Sequence, residues 1–184
     1  MNFYLREILL FSSLTFACCL SSSYAQKQKS AHFIGMNPGI SIKPFYESGE
    51  MDMNIIPIVY QTRIYKQMDI RLISIMNFGF RKDGNKIINY GLELALPYLF
   101  GQRSQSMQVS QGFYLAPVFS LLRYNGSKEY NSSLLIEPGI IFRLEEKASI
   151  SVGLQLGAGY YNLEGLDSNW QNQVGLKIIL GNWF

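Results

Sequence analysis

The chain has 184 residues, of which 48% are hydrophobic, 14% aromatic and only 16% charged, with a formal net charge of +3. Aromatic and β-branched residues run through the whole length, which excludes a disordered chain, and the charged fraction is low against the roughly 25% of an average soluble domain. The basic residues form no cluster, so nucleic acid is not indicated as a partner. After residue 20 no apolar run approaches the ~18 residues of a membrane-spanning helix.

The first 25 residues are typical of a cleaved secretory signal peptide. Arg6 gives a weakly positive start and a short apolar stretch follows over 8–20. Ser23 and Ala25 then place small residues at both recognition positions before the cleavage point. We therefore expect cleavage after Ala25, export of the chain, and a single domain over 26–184.

The positions of the cysteines and the histidine limit the chemistry that the exported chain can perform. Cys18 and Cys19 both lie inside the signal segment, so the mature chain has no disulfide and no thiol. Acylation at Cys18, which would make the chain a lipoprotein, is the alternative to cleavage after Ala25. His32 is the only histidine, and one histidine without cysteine at ligand spacing predicts no metal site. We expect no cofactor.

The mature chain alternates between apolar and small or polar residues with a period of two, which is typical of strands with unlike faces. The clearest example is 148–161, where Ile150, Val152 and Leu154 alternate with serine, glycine and glutamine. The same pattern predicts eight strands in all, separated by turn-rich pieces. They cover roughly 32–45, 53–65, 68–80, 87–100, 109–123, 133–144, 148–161 and 171–184.

The two faces of these strands differ most in charge. The apolar face uses even positions in seven strands and odd positions from Val109 to Leu121 in the fifth, and it carries no Asp, Glu, Lys or Arg. A soluble barrel or sandwich instead packs its apolar face inside and turns its charged face to water. A closed barrel in lipid explains a charge-free outer face, because each charge there would cost ~2–4 kcal/mol near the midplane. We therefore predict an all-β fold, an eight-stranded antiparallel up-and-down transmembrane β-barrel. The charged residues of the opposite face are Lys43, Arg63, Asp69, Arg71, Glu93, Glu137, Arg143 and Lys177.

The terminal part of the last predicted strand, from Val174 to Phe184, ends on an aromatic residue of the outward face. With this ending, the strand pattern and the signal peptide, the chain resembles the small eight-stranded outer-membrane β-barrels of Gram-negative bacteria, of OmpA and OmpX size, particularly the PorT-like outer membrane protein beta-barrel group. The resemblance implies a location in the cell outer membrane. It also implies that the assembly machinery reads Phe184 as a signal, although Asn182 departs from the aromatic or apolar residue usual at that position.

Topology and aromatic placement agree with this interpretation. An even number of strands places both termini at one end, which we expect to be periplasmic. Aromatic residues then fall near two boundaries, as expected where rings meet lipid headgroups. The lower boundary carries Tyr98, Phe100, Phe113, Phe142 and Phe184, and the upper boundary carries Phe78, Phe80 and Tyr160.

Five prolines lie inside the predicted strands, where proline removes a donor from the hydrogen-bond ladder. We expect bulges or strand ends to accommodate them, with local slips of the predicted phase. They are Pro38, Pro57, Pro97, Pro117 and Pro138.

The interior charges form two predicted groups. Glu93, Glu137 and Lys177 fall at similar mid-heights, and because buried charges must be paired we expect both acids to share Lys177 in a network that blocks conduction. A narrow ion pathway is the alternative. The second group, Arg63, Arg71 and Arg143, is expected at the periplasmic mouth. It could bind an anionic segment or headgroup, or pair with the acids of the turn at 145–147.

Glycines of the seventh strand are expected to leave room for bulky interior neighbours rather than to form a nucleotide loop, since no helix follows them. They are Gly153, Gly157 and Gly159. His32, at the predicted periplasmic end, has no evident acid and serine partner, so a lipid-modifying triad is not indicated.

Three classes of function remain. The first is a non-enzymatic barrel in contact with outer-membrane lipid, serving as a structural component or as an accessory of an envelope complex with an unidentified protein partner. The second is a lipid-modifying enzyme. The third is a soluble secreted carrier of the calycin kind.

Overall fold

The computed structural model describes residues 31–41, 51–82, 84–100, 109–126, 129–162 and 169–184. The predicted signal peptide, with Cys18 and Ala25, lies outside the described residues, as does Lys43. Within the described part of the chain the regular structure is entirely β. No helix there is long and apolar enough to cross a membrane.

Eleven strand segments follow one another in the described residues. They are β1 (His32–Met36), β2 (Ile40–Ser41), β3 (Met51–Asn54), β4 (Ile58–Tyr65), β5 (Met68–Phe80), β6 (Lys86–Ala95), β7 (Tyr98–Leu99), β8 (Gly112–Tyr124), β9 (Tyr130–Arg143), β10 (Ala148–Asn162) and β11 (Asn169–Trp183). Three barrel strands are each divided into two segments, β1 with β2, β3 with β4, and β6 with β7. The eleven segments therefore make the eight barrel strands that the sequence predicts.

Pairing closes these strands into a barrel. Neighbours in the chain pair antiparallel throughout, and β1 pairs with β4 on one side and with β11 on the other. The first and last strands are joined at their ends by two backbone hydrogen bonds, from His32 N to Phe184 O at 3.2 Å and from Phe184 N to His32 O at 2.7 Å. Both ends of the described chain therefore lie at one end of the barrel, which we call the lower end. The predicted eight-stranded antiparallel up-and-down barrel is confirmed.

The predicted phase is confirmed outside β3, where the apolar face points outward. In β3 the even-numbered Asp52 and Asn54 are buried instead, so the phase slips by one at the break that contains Pro57, as expected for a proline inside a strand. Leu154 and Leu156 are exposed while Gln155 between them is buried, and β8 shows the odd phase assigned to it from the sequence. The strongly exposed large side chains of this outer wall include Val174, Leu176, Phe113, Phe184, Phe100, Trp170, Leu92 and Leu134. A protein that keeps its apolar face outside cannot be held together by that face in water.

The interior is a mixed layer of apolar and polar side chains. One apolar cluster contains Phe33, Val59, Ile73, Ile179 and Trp183, with Ala31 and Val109. A second contains Ala95, Leu99, Tyr114, Ala116, Val118, Leu135 and Ile141. Between them lie buried polar and charged side chains, including Gln61, Asp69, Arg71, Glu93, Glu137, Gln155 and Lys177.

The prolines are accommodated in two ways. Pro38, Pro57 and Pro97 lie in the breaks that divide three of the barrel strands, as expected. Pro117 and Pro138 lie inside β8 and β9, and the expected phase slip there is wrong, because the register of the β9–β10 ladder is the same on both sides of Pro138. The irregularities of the ladder lie elsewhere, near Arg63–Tyr65 and Asn77–Phe78.

The breaks also lie beside one another across the sheet. Leu96 N donates to Pro117 O at 3.1 Å, and Asn37 N donates to Pro57 O at 2.7 Å. The N–H and the C=O of a strand residue point toward the same neighbouring strand. The nitrogen of Pro117, which has no hydrogen to donate, therefore faces the break at 96–97. Pro57 and Pro117 therefore each meet a neighbouring strand that is itself interrupted, and the ladder loses fewer bonds there than isolated prolines would remove.

Aromatic side chains mark both ends of the outer wall. Tyr98 and Phe100 meet edge to face at 5.4 Å near the lower end. Near the opposite, upper end, Phe78 contacts Phe80 at 5.3 Å and Tyr160 contacts Trp170 at 5.5 Å. These pairs lie at the two predicted boundaries.

Candidate functional site

Six inward-facing side chains from six different barrel strands meet in the middle of the barrel and form what we call the interior network. Each comes from the polar phase of its strand, which the two-residue period turns inward. The members are Arg71 (β5), Glu93 (β6), Tyr114 (β8), Glu137 (β9), Gln155 (β10) and Lys177 (β11). All six are buried.

The first ion pair joins Lys177 to Glu93. Lys177 Nζ lies 3.0 Å from Glu93 Oε2, and both side chains are more than nine-tenths buried. These residues belong to the eighth and fourth barrel strands, which lie on opposite sides of an eight-stranded barrel, so the pair spans the interior. Asn37 extends it, because its amide, oriented with the oxygen toward Lys177, accepts from Nζ at 3.2 Å and donates to Ile178 O at 3.0 Å.

The second ion pair joins Arg71 to Glu137. Arg71 Nη1 lies 2.9 Å from Glu137 Oε1, and the two side chains are 1% and 0% exposed. Tyr114 donates its hydroxyl hydrogen to the same Oε1 at 2.7 Å, and its ring centroid lies 5.1 Å from the Arg71 guanidinium carbon. The carboxylate is thus held by a charged donor and a neutral donor, which a buried acid needs to stay ionised.

Gln155 connects the two ion pairs. Its Nε2 lies 3.1 Å from Glu93 Oε1 and 2.7 Å from Glu137 Oε2. One neutral amide therefore separates the two carboxylates and donates to both, which reduces the cost of placing like charges near each other. The network is continuous from Lys177 to Arg71.

A polar extension continues from Arg71 toward the lower end. Arg71 Nε donates to Gln61 Oε1 at 2.8 Å, and Gln61 Nε2 donates to Asp69 Oδ2 at 2.7 Å. Ser110 Oγ donates to the same carboxylate oxygen at 2.6 Å. Asp69 and Ser110 are at most 1% exposed, so this extension also fills the interior.

Glycines make room for the network. A Cβ placed on Gly139 would lie 2.5 Å from the Tyr114 ring carbon Cζ, and one on Gly153 would lie 2.8 Å from Tyr114 Oη and 2.9 Å from Glu137 Cγ. Tyr114 therefore lies over two glycines of the neighbouring strands. Gly159 leaves similar room for the Gln173 side chain. These contacts agree with the expected role of glycine in β10, although Gly157 approaches the backbone of Leu134 instead.

The structure brings together the predicted Glu93, Glu137 and Lys177, but the pairing differs from the one expected. Lys177 pairs with Glu93, whereas Glu137 takes Arg71 as its partner. The cause is the register of β5 and the reach of the arginine side chain, which brings the guanidinium from near the strand start to the middle of the interior. The assignment of Arg71 to the mouth is therefore wrong.

The other two arginines of that predicted group stay near the lower end but do not join each other. Arg63 lies directly opposite Asp69 in the β4–β5 ladder. Arg143 donates from Nε to Glu145 O at 2.9 Å, beside the turn where pairing with an acid was expected. These contacts thus place Arg143 at the turn, whereas Arg63 faces Asp69, the acid that Gln61 links to Arg71.

Residues that the sequence reasoning missed are the neutral members, Gln61, Tyr114 and Gln155. All three lie on the inward phase of strands that either carry a charge of the network or lie beside a strand that does. This inward position is the only sign in the sequence that could have identified them. Their exact partners depend on the stagger between strands, which alternation along one strand does not give.

The two C-terminal residues point in opposite directions. Phe184 is 69% exposed and lies on the outer wall, as predicted. Trp183 is buried, with its ring 5.2 Å from that of Phe33 and its Nε1 donating to Ser149 Oγ at 3.0 Å. The end of the chain therefore combines an outward aromatic side chain with an inward anchor.

His32 lies on the outer surface at the lower end. Its Nδ1 lies 2.8 Å from the Tyr60 hydroxyl, and the two rings stack at 6.0 Å. Within the described ranges, no three His, Cys, Asp or Glu side chains are grouped as a metal site requires. The interior network holds paired charges and amides rather than a nucleophile beside a base.

No protein-family model matches the chain, and no curated protein is detectably similar to it. The features that bear on its function are therefore the barrel itself, its outer wall and its interior network.

Proposed function

We propose that this chain is a non-enzymatic β-barrel of the bacterial outer membrane, with both termini in the periplasm, that serves as a structural or accessory component of the cell envelope. We further propose that it belongs among the small outer-membrane barrels it resembles, of the PorT-like group. The closed barrel and its phase are the geometry on which both proposals depend.

One observation carries the proposal, namely that the barrel has its charged side chains inside and its apolar side chains outside. Val174 and Leu176 are 75% and 70% exposed, while Glu137 and Arg71 are at most 1% exposed. In water this arrangement would leave a large apolar surface unburied, which soluble monomers rarely do. In a bilayer it is the favourable arrangement, because a closed barrel satisfies the backbone and its apolar wall faces acyl chains.

The interior network supports a role without transport. A barrel of eight strands has an interior just wide enough to be filled by side chains. The Lys177–Glu93 pair spans that interior, and Gln155 and the Arg71–Glu137 pair lie beside it. Against a calycin-like carrier stands the polar character of the interior at mid-height, where charged and amide side chains contact one another.

The proposal is tested by locating and folding the full chain. We expect it to fractionate with outer membranes, and to migrate faster on gels before boiling than after it, since folded barrels resist detergent until heated. Recovery as a soluble periplasmic protein would contradict the membrane location. In planar bilayers we expect no stable conductance, and a steady ion current would favour the narrow-pore alternative.

The accessory role has its own test. We expect gently solubilised membranes to yield this chain together with at least one envelope protein. Lipid A of a deletion strain should keep its mass spectrum unchanged, and a changed acylation pattern would favour the lipid-modifying enzyme instead.

A further inference from the structure

An apolar groove interrupts the outer wall where β6 ends. It has a volume of about 440 Å³ and is lined by Leu94, Leu96, Pro117, Phe119, Leu134 and Leu156, among others. The groove exists because β6 stops at Ala95 and β7 resumes only at Tyr98, so the wall is thinner beside Pro117. Behind it, the inward-facing Val118 and Leu135 belong to a buried apolar cluster. No charged side chain lines this groove.

A continuous apolar column leads from the groove toward the upper end. In the β6–β8 ladder Leu94 lies opposite Phe119, and Leu92 lies opposite Leu121. All four residues belong to the outward phase, and Leu92 is 60% exposed. An extended hydrocarbon chain can therefore contact apolar side chains along the whole distance.

The column ends at a basic residue between two tyrosines. Arg123 is exposed on the outward phase of β8, and it lies opposite Tyr90 of β6 and opposite Tyr130 of β9. Both tyrosines are exposed as well. A guanidinium flanked by two phenols offers hydrogen-bond donors suited to a phosphate group.

The spacing of these features matches one leaflet of a bilayer. At about 3.3 Å per residue, Arg123 lies roughly 20 Å from Pro117 along β8. A strand tilt of about 40° reduces this to roughly 15 Å along the membrane normal, which is half of the ~30 Å hydrocarbon core. With Arg123 at the headgroup level, the groove lies near the midplane, where an acyl chain ends.

We propose that the groove and Arg123 form a binding site for one phosphate-bearing membrane lipid of the upper leaflet. Its acyl chain lies along Leu92 and Leu121 and ends in the groove beside Pro117, and its phosphate contacts Arg123 between Tyr90 and Tyr130. The proposal rests on the proposed membrane location, and it adds a specific lipid to the general contact of the wall with the bilayer.

The test uses the full mature chain folded into vesicles of equal parts phosphatidylglycerol and phosphatidylcholine, followed by detergent extraction and native mass spectrometry. We expect the wild type to retain one lipid, with phosphatidylglycerol preferred. Leu134→Trp fills the groove and should abolish retention. Ile58→Trp, which adds the same bulk on the exposed face of β4, whose neighbours β1 and β5 do not line the groove, should leave retention unchanged.

Arg123→Gln tests the contact with the lipid headgroup separately from the contact with the acyl chain. We expect lipid to be retained while the preference for phosphatidylglycerol falls about fivefold, as for the loss of one basic residue near an anionic headgroup. Lys147→Gln, at the lower end, should leave the preference unchanged. Equal retention by wild type and Leu134→Trp, or an unchanged preference in Arg123→Gln, would overturn the site.

Two further outcomes are informative. If the wild type is a dimer and Leu134→Trp is a monomer, the proposal is overturned in favour of a second copy of the chain in the groove. Every variant is first checked for heat-modifiable migration. If the wild type itself does not enter vesicles, the proposed membrane location fails, whereas normal insertion without lipid retention overturns only the lipid site.

Discussion

Lys177 and Glu93 meet across the barrel, with Lys177 Nζ 3.0 Å from Glu93 Oε2, although the residues are 84 positions apart in the chain. They come from strands on opposite sides of the barrel, so their contact closes the interior at mid-height. Each is the nearest opposite charge of the other, and each is buried. The pair therefore links the register of two strands that do not touch.

Removal of the lysine charge tests this link. Lys177→Met leaves Glu93 without its partner, and breaking a buried pair in this way costs about 3–5 kcal/mol of folding free energy. Urea denaturation of the refolded barrel, followed by gel migration, measures the loss. The double variant Lys177→Met with Glu93→Gln removes both charges and should cost much less. Equal losses in the single and double variants would contradict the pairing.

The Arg71–Glu137 pair gives a second prediction. Arg71→Met leaves a fully buried carboxylate with only neutral donors, so we expect a loss of about 3–5 kcal/mol in the free energy of unfolding. Arg143→Met is the matched control, because Arg143 lies at the lower end beside a turn and should change stability by less than about 0.5 kcal/mol. If the two variants unfold at the same urea concentration, the Arg71–Glu137 pair does not stabilise the barrel.

The contact between Tyr114 and Gly139 predicts the effect of a single methyl group. Gly139→Ala places a Cβ 2.5 Å from the Tyr114 ring, so the ring must shift and leave Glu137. We expect a loss of about 1–3 kcal/mol, typical of an overpacked core. Gly175→Ala is the control, because its Cβ would lie at an ordinary 3.5 Å from Gln155 Oε1. Tolerance of Gly139→Ala at wild-type stability would mean that the ring has room to move.

The last two residues should separate assembly from stability. Deletion of Phe184 is expected to impair insertion in cells, because Phe184 is the outward aromatic end of the final strand, while the purified barrel should refold with nearly normal stability. Trp183→Ala should do the reverse and lower stability by about 3–5 kcal/mol, since it removes a buried ring and a hydrogen bond to Ser149. The readouts are folded yield in membranes and urea denaturation in vitro. Equal folded yields in cells for the Phe184 deletion and for Trp183→Ala would contradict the role assigned to Phe184.

The sequence alone determined the strands, their number and, outside β3, the side that their residues face. A strand has a side-chain period of two, so a row such as Ile150, Val152 and Leu154 against Ser151 and Gly153 specifies two faces without any knowledge of the neighbours. The absence of charge from one face then decides which face turns outward. For the same reason Phe184 was correctly assigned to the outer face.

Only the tertiary structure decided which interior groups meet. Partners in a barrel depend on the stagger between strands and on how far each side chain reaches across the interior, and neither quantity is encoded in the alternation along one strand. Glu93 and Lys177 were placed together because their distances from the strand ends agree. Arg71 was misplaced because its Cα lies near a strand start while its guanidinium reaches the middle. Gln155 connects the two acids only because β10 holds it level with both, which the sequence of that strand does not reveal.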